Sequence, residues 1–280
     1  MKKLYCILFL LFTSFIAEAT HQVAGYISFK WISGTTYRVT LTDYTNVCGT
    51  LADRDTLRIH WGDGTSTLLV RNNGPVDPST GYPEGQLITA GNCHCRKLNL
   101  YDTVHTFPGN GTYHMWIDDQ DRMANIANMT GSVGQDFYLY TSINIGAVTG
   151  NEITSPVITN PLACIYACAG ECYYYNVGAY SPSGDSISYL LGQSLTLTGV
   201  ANGYFLPPGV SLNSQTGTFS WCDPPNPTFT ADTIYNFVIL VVSYKSVYFD
   251  SHVYKLAVDT VECEFEVLVR GNCHFTPKVT

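Results

Sequence analysis

The sequence predicts an all-β protein built as two tandem β-sandwiches. Three observations carry this. Tyr, Thr, Val and Ile recur in short alternating runs, with 20 Tyr in 280 residues, and β-branched and aromatic side chains fit a pleated, half-buried surface. Gly, Pro, Asn and Asp interrupt those runs roughly every ten residues, the turn spacing of a sandwich. Helix signals are almost absent.

The chain opens with Met1-Lys2-Lys3, the apolar run LYCILFLLFTSFIA and Ala17-Glu18-Ala19. A basic start, an apolar stretch and a small-x-small site make residues 1–19 a secretory signal peptide. The run is short for a bilayer span, which needs ~20 apolar residues. The later apolar stretch 234–249 is interrupted by Tyr, Asn, Ser and Lys, so no membrane insertion of the mature chain is expected. Cleavage before Thr20 removes Lys2, Lys3 and Glu18 and takes the net charge from −8 to −9. So acidic a chain disfavours nucleic acid and anionic lipid. The expected place is outside the cell, secreted or on its surface.

Strands are expected at 22–31, 36–44, 56–61 and 66–72. Residues 74–95, rich in Gly and Pro, read as a long loop. Strands resume at 97–107, 112–119 and 136–145. Residues 154–159 read as a linker. The second half repeats the style at 172–180, 186–192, 209–221, 234–245, 251–258 and 263–271. The expected division is therefore 20–153, a linker at 154–159, a second sandwich at 160–270 and a tail at 271–280.

Ten Cys with an export signal point to an oxidising compartment. Cys6 leaves with the signal. Cys48, Cys93, Cys95, Cys164, Cys168, Cys172, Cys222, Cys263 and Cys273 are the disulfide candidates. Nine is odd, so at least one thiol is free or pairs outside the chain. The spacings Cys93-His94-Cys95 and Cys168-x3-Cys172 admit a zinc reading as a minor alternative.

Two motifs are specific. The first is Trp61-Gly62-Asp63-Gly64-Thr65 followed by HTFPGNGTYHMWI at 105–117. Together they resemble the PKD-type immunoglobulin-like domain. The resemblance implies Trp61 in the core, Asp63 capping backbone amides of the turn, and Tyr113 on the following strand. The gap between the two pieces is unusually long, so residues 20–153 read as a PKD-like sandwich with an insertion. The second motif is LPPGVSLNSQTGTFSW, 206–221, which resembles the Ig-like, cadherin-related domain of bacterial surface proteins. In that setting NVGAYSPSGDSISY, 176–189, keeps the frame of a calcium turn in Pro182, Gly184, Asp185, Ser186 and Tyr189. Ser181 and Ser183 stand where carboxylates would be. Calcium wants six to eight oxygens, several of them charged, so little calcium stabilisation is expected there.

The order of these pieces resembles the amino-terminal region of the large surface proteins of gliding bacteria, the gliding motility-associated C-terminal domain-containing proteins. That resemblance implies a non-enzymatic exported protein with a structural or adhesive role, whose partners are other surface proteins or extracellular glycans. A carbohydrate-binding accessory module is the alternative. No Gly-x-Ser-x-Gly, His-Glu-x-x-His or phosphate loop occurs, and the seven His are scattered. No catalytic residue and no cofactor is expected. Asp118, Asp119 and Asp121 form a carboxylate cluster that could serve a glycosidase or a weak Ca2+ site, or simply end a strand. Five Asp-Ser/Thr-aliphatic triplets resemble the O-glycan acceptor motif of exported proteins in such bacteria. They nominate Thr56, Thr103, Ser186, Thr233 and Thr260, each at an expected turn-to-strand junction.

Overall fold

A computed structural model describes residues 22–48, 54–89, 93, 95–120, 122–148, 152–222 and 233–271. The signal segment, Asp121 and Cys273 lie outside the described residues. Strand dominates: among the described residues the one helical element is a 3-10 turn, Ser132–Gly134.

The first half contributes β1 (Gln22–Ser33), β2 (Thr36–Asn46), β3 (Thr56–His60), β4 (Ser66–Val70), β5 (Gln86–Ile88), β6 (Arg96–Thr106), β7 (Gly111–Asp119) and β8 (Phe137–Ile145). The second contributes β9 (Val157–Ile158), β10 (Ile165–Cys168), β11 (Tyr173–Asn176), β12 (Ala179–Tyr180), β13 (Ser186–Leu191), β14 (Leu195–Thr196), β15 (Gly199–Val200), β16 (Val210–Leu212), β17 (Thr218–Trp221), β18 (Thr233–Phe249) and β19 (His252–Arg270). Within the stretch read as a long loop, residues 74–89 are more ordered than their Gly and Pro content suggests. β5 pairs with β6, and Val76 bridges Pro83.

Two large hydrophobic cores form, beside a small cluster of Ile126, Met129 and Ala201. The first gathers Val39, Leu41, Ile59, Trp61, Tyr101, Met115, Ile117, Leu139 and Ile143, all fully or almost fully buried. The second gathers Phe219, Trp221, Phe237, Val241, Val261, Cys263, Phe265 and Val267. Trp221 meets Tyr235 and Phe237 edge-on at 4.8 and 5.1 Å, the arrangement aromatic quadrupoles prefer. Gly217, at φ +73°, closes the β16–β17 turn, where a Cβ would run into the Tyr189 ring at 2.6 Å.

One sheet runs through both halves in the order β4-β3-β7-β8-β19-β1-β2-β6-β5. β19 joins them: it pairs with β8 and β1 of the first half and with β18 and β10 of the second. Val23, Ala24 and Tyr44, from the first strand pair, pack in the second core. At the crossing point Ile153 packs in the first core and Ile158 in the second. Between them the Ser155 hydroxyl accepts from the Phe29 amide at 2.9 Å and donates to the Phe29 carbonyl at 3.1 Å.

The cystines are Cys48–Cys95, Cys93–Cys164 and Cys172–Cys222, and Cys168 is also disulfide-bonded. This corrects the zinc readings, because neither Cys-x-Cys nor Cys-x3-Cys is left with free thiolates. It also corrects Cys263 as a disulfide candidate. Cys263 is a free thiol buried among the aromatic rings of the second core, since the alternation of β19 turns it inward with Val261 and Phe265. Burial pushes the thiol well above its usual pKa, and the thiolate is the reactive form. A thiol reagent should therefore find no Cys263 in the native protein and react with it on unfolding in guanidinium, read by peptide mass mapping. Native labelling of Cys263 would contradict this burial.

Candidate functional site

Around Asp63 the two halves of the first motif meet. Gly62, at φ +78°, lies so close to the His114 backbone that a Cβ would collide with it. The loop closes with the Trp61 amide on the Thr65 carbonyl at 3.0 Å. Asp63 Oδ1 accepts from the Thr65 amide at 2.9 Å and hydroxyl at 2.6 Å, while Oδ2 accepts from His105 Nε2 at 2.9 Å. The His105 ring stacks on Trp61 with centroids 4.2 Å apart. Burial pushes the Asp63 carboxyl up, but the bonds from Thr65 and His105 together hold it below the ordinary carboxylate range. The carboxylate is thus fully engaged in holding the turn. Tyr113 lies on β7 and its hydroxyl donates to the Gly109 carbonyl. Asp63→Ala should cost about 1–3 kcal/mol, read by urea unfolding, and a change within error would show the turn to be held by its glycines alone.

Asp118 and Asp119 are directed to different partners. Asp119 accepts from Arg54 Nε at 3.1 Å through each oxygen and from Gln22 at 2.9 Å. Asp118 lies 3.7 Å from His60, whose ring stacks on Trp116. Among the described residues no group of three His, Cys, Asp or Glu converges to hold a metal.

Three of the five glycan candidates sit where expected: Thr56, Ser186 and Thr233 are the first residues of β3, β13 and β18. Ser186 is exposed. Thr103 and Thr260 correct the expectation, since they lie inside β6 and β19. There the preceding Asp is a cross-strand residue rather than a turn residue: Asp102 pairs with Arg38 at 2.6 Å, and Asp259 stands opposite Ser243.

The turn at 181–186 keeps its shape. Gly184 adopts φ +75°, and the Asp185 amide donates to the Ser181 hydroxyl at 3.1 Å. The Asp185 side chain turns inward, 3.7 Å from Lys245. The fold brings a second carboxylate from 74 residues away, Asp259, buried beside the Ser243 hydroxyl. Burial and the Asp185 charge push Asp259 up to about 7, against the Ser243 hydroxyl and Lys245. Nothing in the local sequence of the turn announces Asp259.

Above this point β18 and β19 leave the body. β13 reaches only Tyr244, and β8 reaches only Asp259. Residues 245–257 pair with each other alone, as a two-stranded arm. Its turn, Asp250-Ser251, holds both residues at positive φ, 46° and 61°, the signature of the tight turn that matches strand twist. Tyr248 is 79% exposed and Phe249 71%, with Val253, Tyr254 and Leu256 also exposed. Lys245, His252 and Lys255 flank them. The sequence reading places strands at 234–245 and 251–258 and assigns nothing to 246–250. The available signal was an Asp-Ser pair between two alternating runs, with Tyr and Phe at the tip.

A cleft of about 540 Å³ lies beside the long loop and is lined by Val47, Asp55, Gly74, Pro75, Asp77, Thr80, Glu84, Gln86 and Leu87 over a floor of Arg71 and Lys97. Arg71 is buried, donating to Asp55 at 2.6 Å, Asn99 at 3.1 Å and the Pro83 carbonyl at 2.5 Å. No aromatic side chain is among these lining residues.

The sequence profile of the family described as "Putative Ig domain" matches residues 140–259, from within β8 to the root of β19. No curated protein and no solved structure matched. With strands, cores and profile in agreement, the chain carries an Ig-like module through its second half within an almost all-β sandwich architecture.

Proposed function

We propose that the chain is a non-enzymatic exported protein with an adhesive or structural role at the cell surface, and that the arm is its contact element. The observation that carries this reading is the arm itself: five large apolar side chains exposed on a ribbon whose strands pair only with each other. Patches of exposed apolar surface on soluble proteins mark interaction sites, and Tyr and Phe supply large contact area with few rotatable bonds. The cystine framework suits an oxidising, extracellular setting. The resemblance to surface proteins of gliding bacteria supports the same reading. The glycan alternative draws no support from the cleft over Arg71, which has no aromatic ring among its lining residues.

The test is adhesion of the mature chain to a surface displaying the proteins of its native host, compared with a variant in which 247–254 is replaced by a short Asn-Gly turn, which keeps Ser246 opposite Lys255. Retained adhesion by the shortened variant would remove the arm from the mechanism. Binding on a glycan array by both forms would favour the carbohydrate reading. Ser186, Thr56 and Thr233 are offered as glycan acceptors. The intact mass of the native secreted protein should exceed that of the bare mature chain, and equality, after correction for disulfides, would dismiss them.

A further inference from the structure

The arm and the cleft are complementary in two independent respects. In charge, the free cation of the arm is exposed Lys255, since Lys245 at the root is held by Asp185 at 3.7 Å, and it projects from a chain of net charge −8. The rim of the cleft presents Asp77 and exposed Glu84, while its cations, Arg71 and Lys97, are buried beneath. The Asp77 carboxyl is held below the usual range by hydrogen bonds from Ser79 and Thr80, so that rim stays ionised. In polarity, the loop that builds the cleft exposes Val76 and Leu87 at 60% and Tyr82 at 40%. That is the apolar counterpart of Tyr248, Phe249 and Tyr254. This loop is also the insertion that departs from the PKD pattern, and neither core needs its exposed side chains.

We propose that the arm of one copy docks in the cleft of a second copy, so that chains assemble head to tail. Phe249 or Tyr248 enters between Pro75 and Leu87, and Lys255 meets Glu84 and Asp77. The partner is a second copy rather than an anionic membrane because the acidic body would be repelled from such a surface. Arm and cleft are different patches, so the contact is heterologous. It leaves a free arm at one end and a free cleft at the other, and such contacts extend into open chains unless rotation closes them. A single ribbon in a cleft buries less than a standard interface, so association is weak in dilute solution. It strengthens where chains are crowded on a surface. This inference rests on the adhesive reading of the arm and names its partner.

Sedimentation velocity on the mature chain over rising concentration tests it. The average mass should climb past the dimer and fall back in high salt, because exposed charges are screened. Phe249→Ser and Glu84→Lys alter exposed side chains, so melting should be unchanged. Each should weaken association by about tenfold or more, the scale of a contact hot spot. Mixing the two variants is decisive. The Glu84→Lys chain keeps its arm and the Phe249→Ser chain keeps its cleft, so the mixture should stop at one-to-one dimers. Adding Lys255→Glu to Glu84→Lys should restore part of the growth. A wild-type chain that stays monomeric at every concentration overturns the proposal. So does association lost in Phe249→Ser but unchanged in Glu84→Lys, which would mean arm meeting arm. If the chain is monomeric yet needs its arm to adhere, this proposal fails and the adhesive reading stands. If the arm is dispensable for both, both fail.

Discussion

Arg122→Leu is expected to destabilise the protein by about 3–5 kcal/mol, the cost of leaving a buried charge without its partner. Arg122 and Glu264 are both almost completely buried and form an ion pair. The guanidinium also donates to the Asp136 carbonyl at 2.8 Å and the Leu195 carbonyl at 2.7 Å, and lies over the Phe137 ring at 5.1 Å. Without it, Glu264 keeps Ser194 at 3.0 Å and Asn236 at 2.8 Å, two neutral donors facing a full charge. Urea unfolding measures the loss. The double variant Arg122→Leu/Glu264→Leu should recover much of it, because buried pairs replaced by apolar side chains often fold as well or better. A single variant within about 1 kcal/mol of wild type would mean that water reaches Glu264, contrary to its burial.

Stability should be greatest in mild acid and fall as the pH rises toward 8. Burial pushes Glu266 up to about 8, with Arg96 and Arg122 opposing, and Asp259 up to about 7, while burial and Glu264 raise Glu262 well above the carboxylate range. An acid whose folded pKa is raised is protonated in the native state and ionised in the unfolded chain between its two pKa values. Its stabilisation is therefore complete below the unfolded value, near 4, and is lost as pH rises through the folded value, near 7 to 8. At about 1.4 kcal/mol per unit, Glu266 and Asp259 each have a ceiling on the order of 4 kcal/mol. Melting temperatures from pH 4.5 to 9 should decline through that window, and Glu266→Gln should flatten the decline. A flat profile, or one that rises with pH, would show these carboxyls to be ionised and solvated.

Periodicity and turn chemistry made much of the fold legible. The Trp-Gly-Asp-Gly turn and the Thr-Gly-Thr-Phe-Ser-Trp return each fix their geometry locally, through positive φ at Gly62 and Gly217 and a capping carboxylate or amide. What could not be read is long-range. The stretch 262–266 alternates Glu with Cys and Phe, the pattern of a strand with one wet face. In the fold both faces are dry, because β8 and the segments at 122–136 and 192–204 cover the Glu face. No local rule distinguishes a carboxylate facing water from one facing Arg122, placed 142 residues away. The second carboxylate beside Asp185 was hidden for the same reason. The arm was hidden because sequence shows where a hairpin turns, not where its neighbours in the sheet end.

The shared strand β19 also decides how the molecule bears a pull. β1 and β19 are antiparallel neighbours in register Gly25↔Glu264, so residues 22 and 270 emerge at the same edge. Tension applied between those two ends loads the bonds of β19 to β10 and β18 nearest residue 270 first and the Gly25–Glu264 pairing after them, one at a time. Tension applied between the arm and the body runs along the length of β19 instead. Its hydrogen bonds lie across the strand, so those of β19 to β8 and β1, and those of β18 to β13, are loaded together. A tether held by the arm is thus far stronger than one held by the two ends, and the second core lies directly along the loaded path.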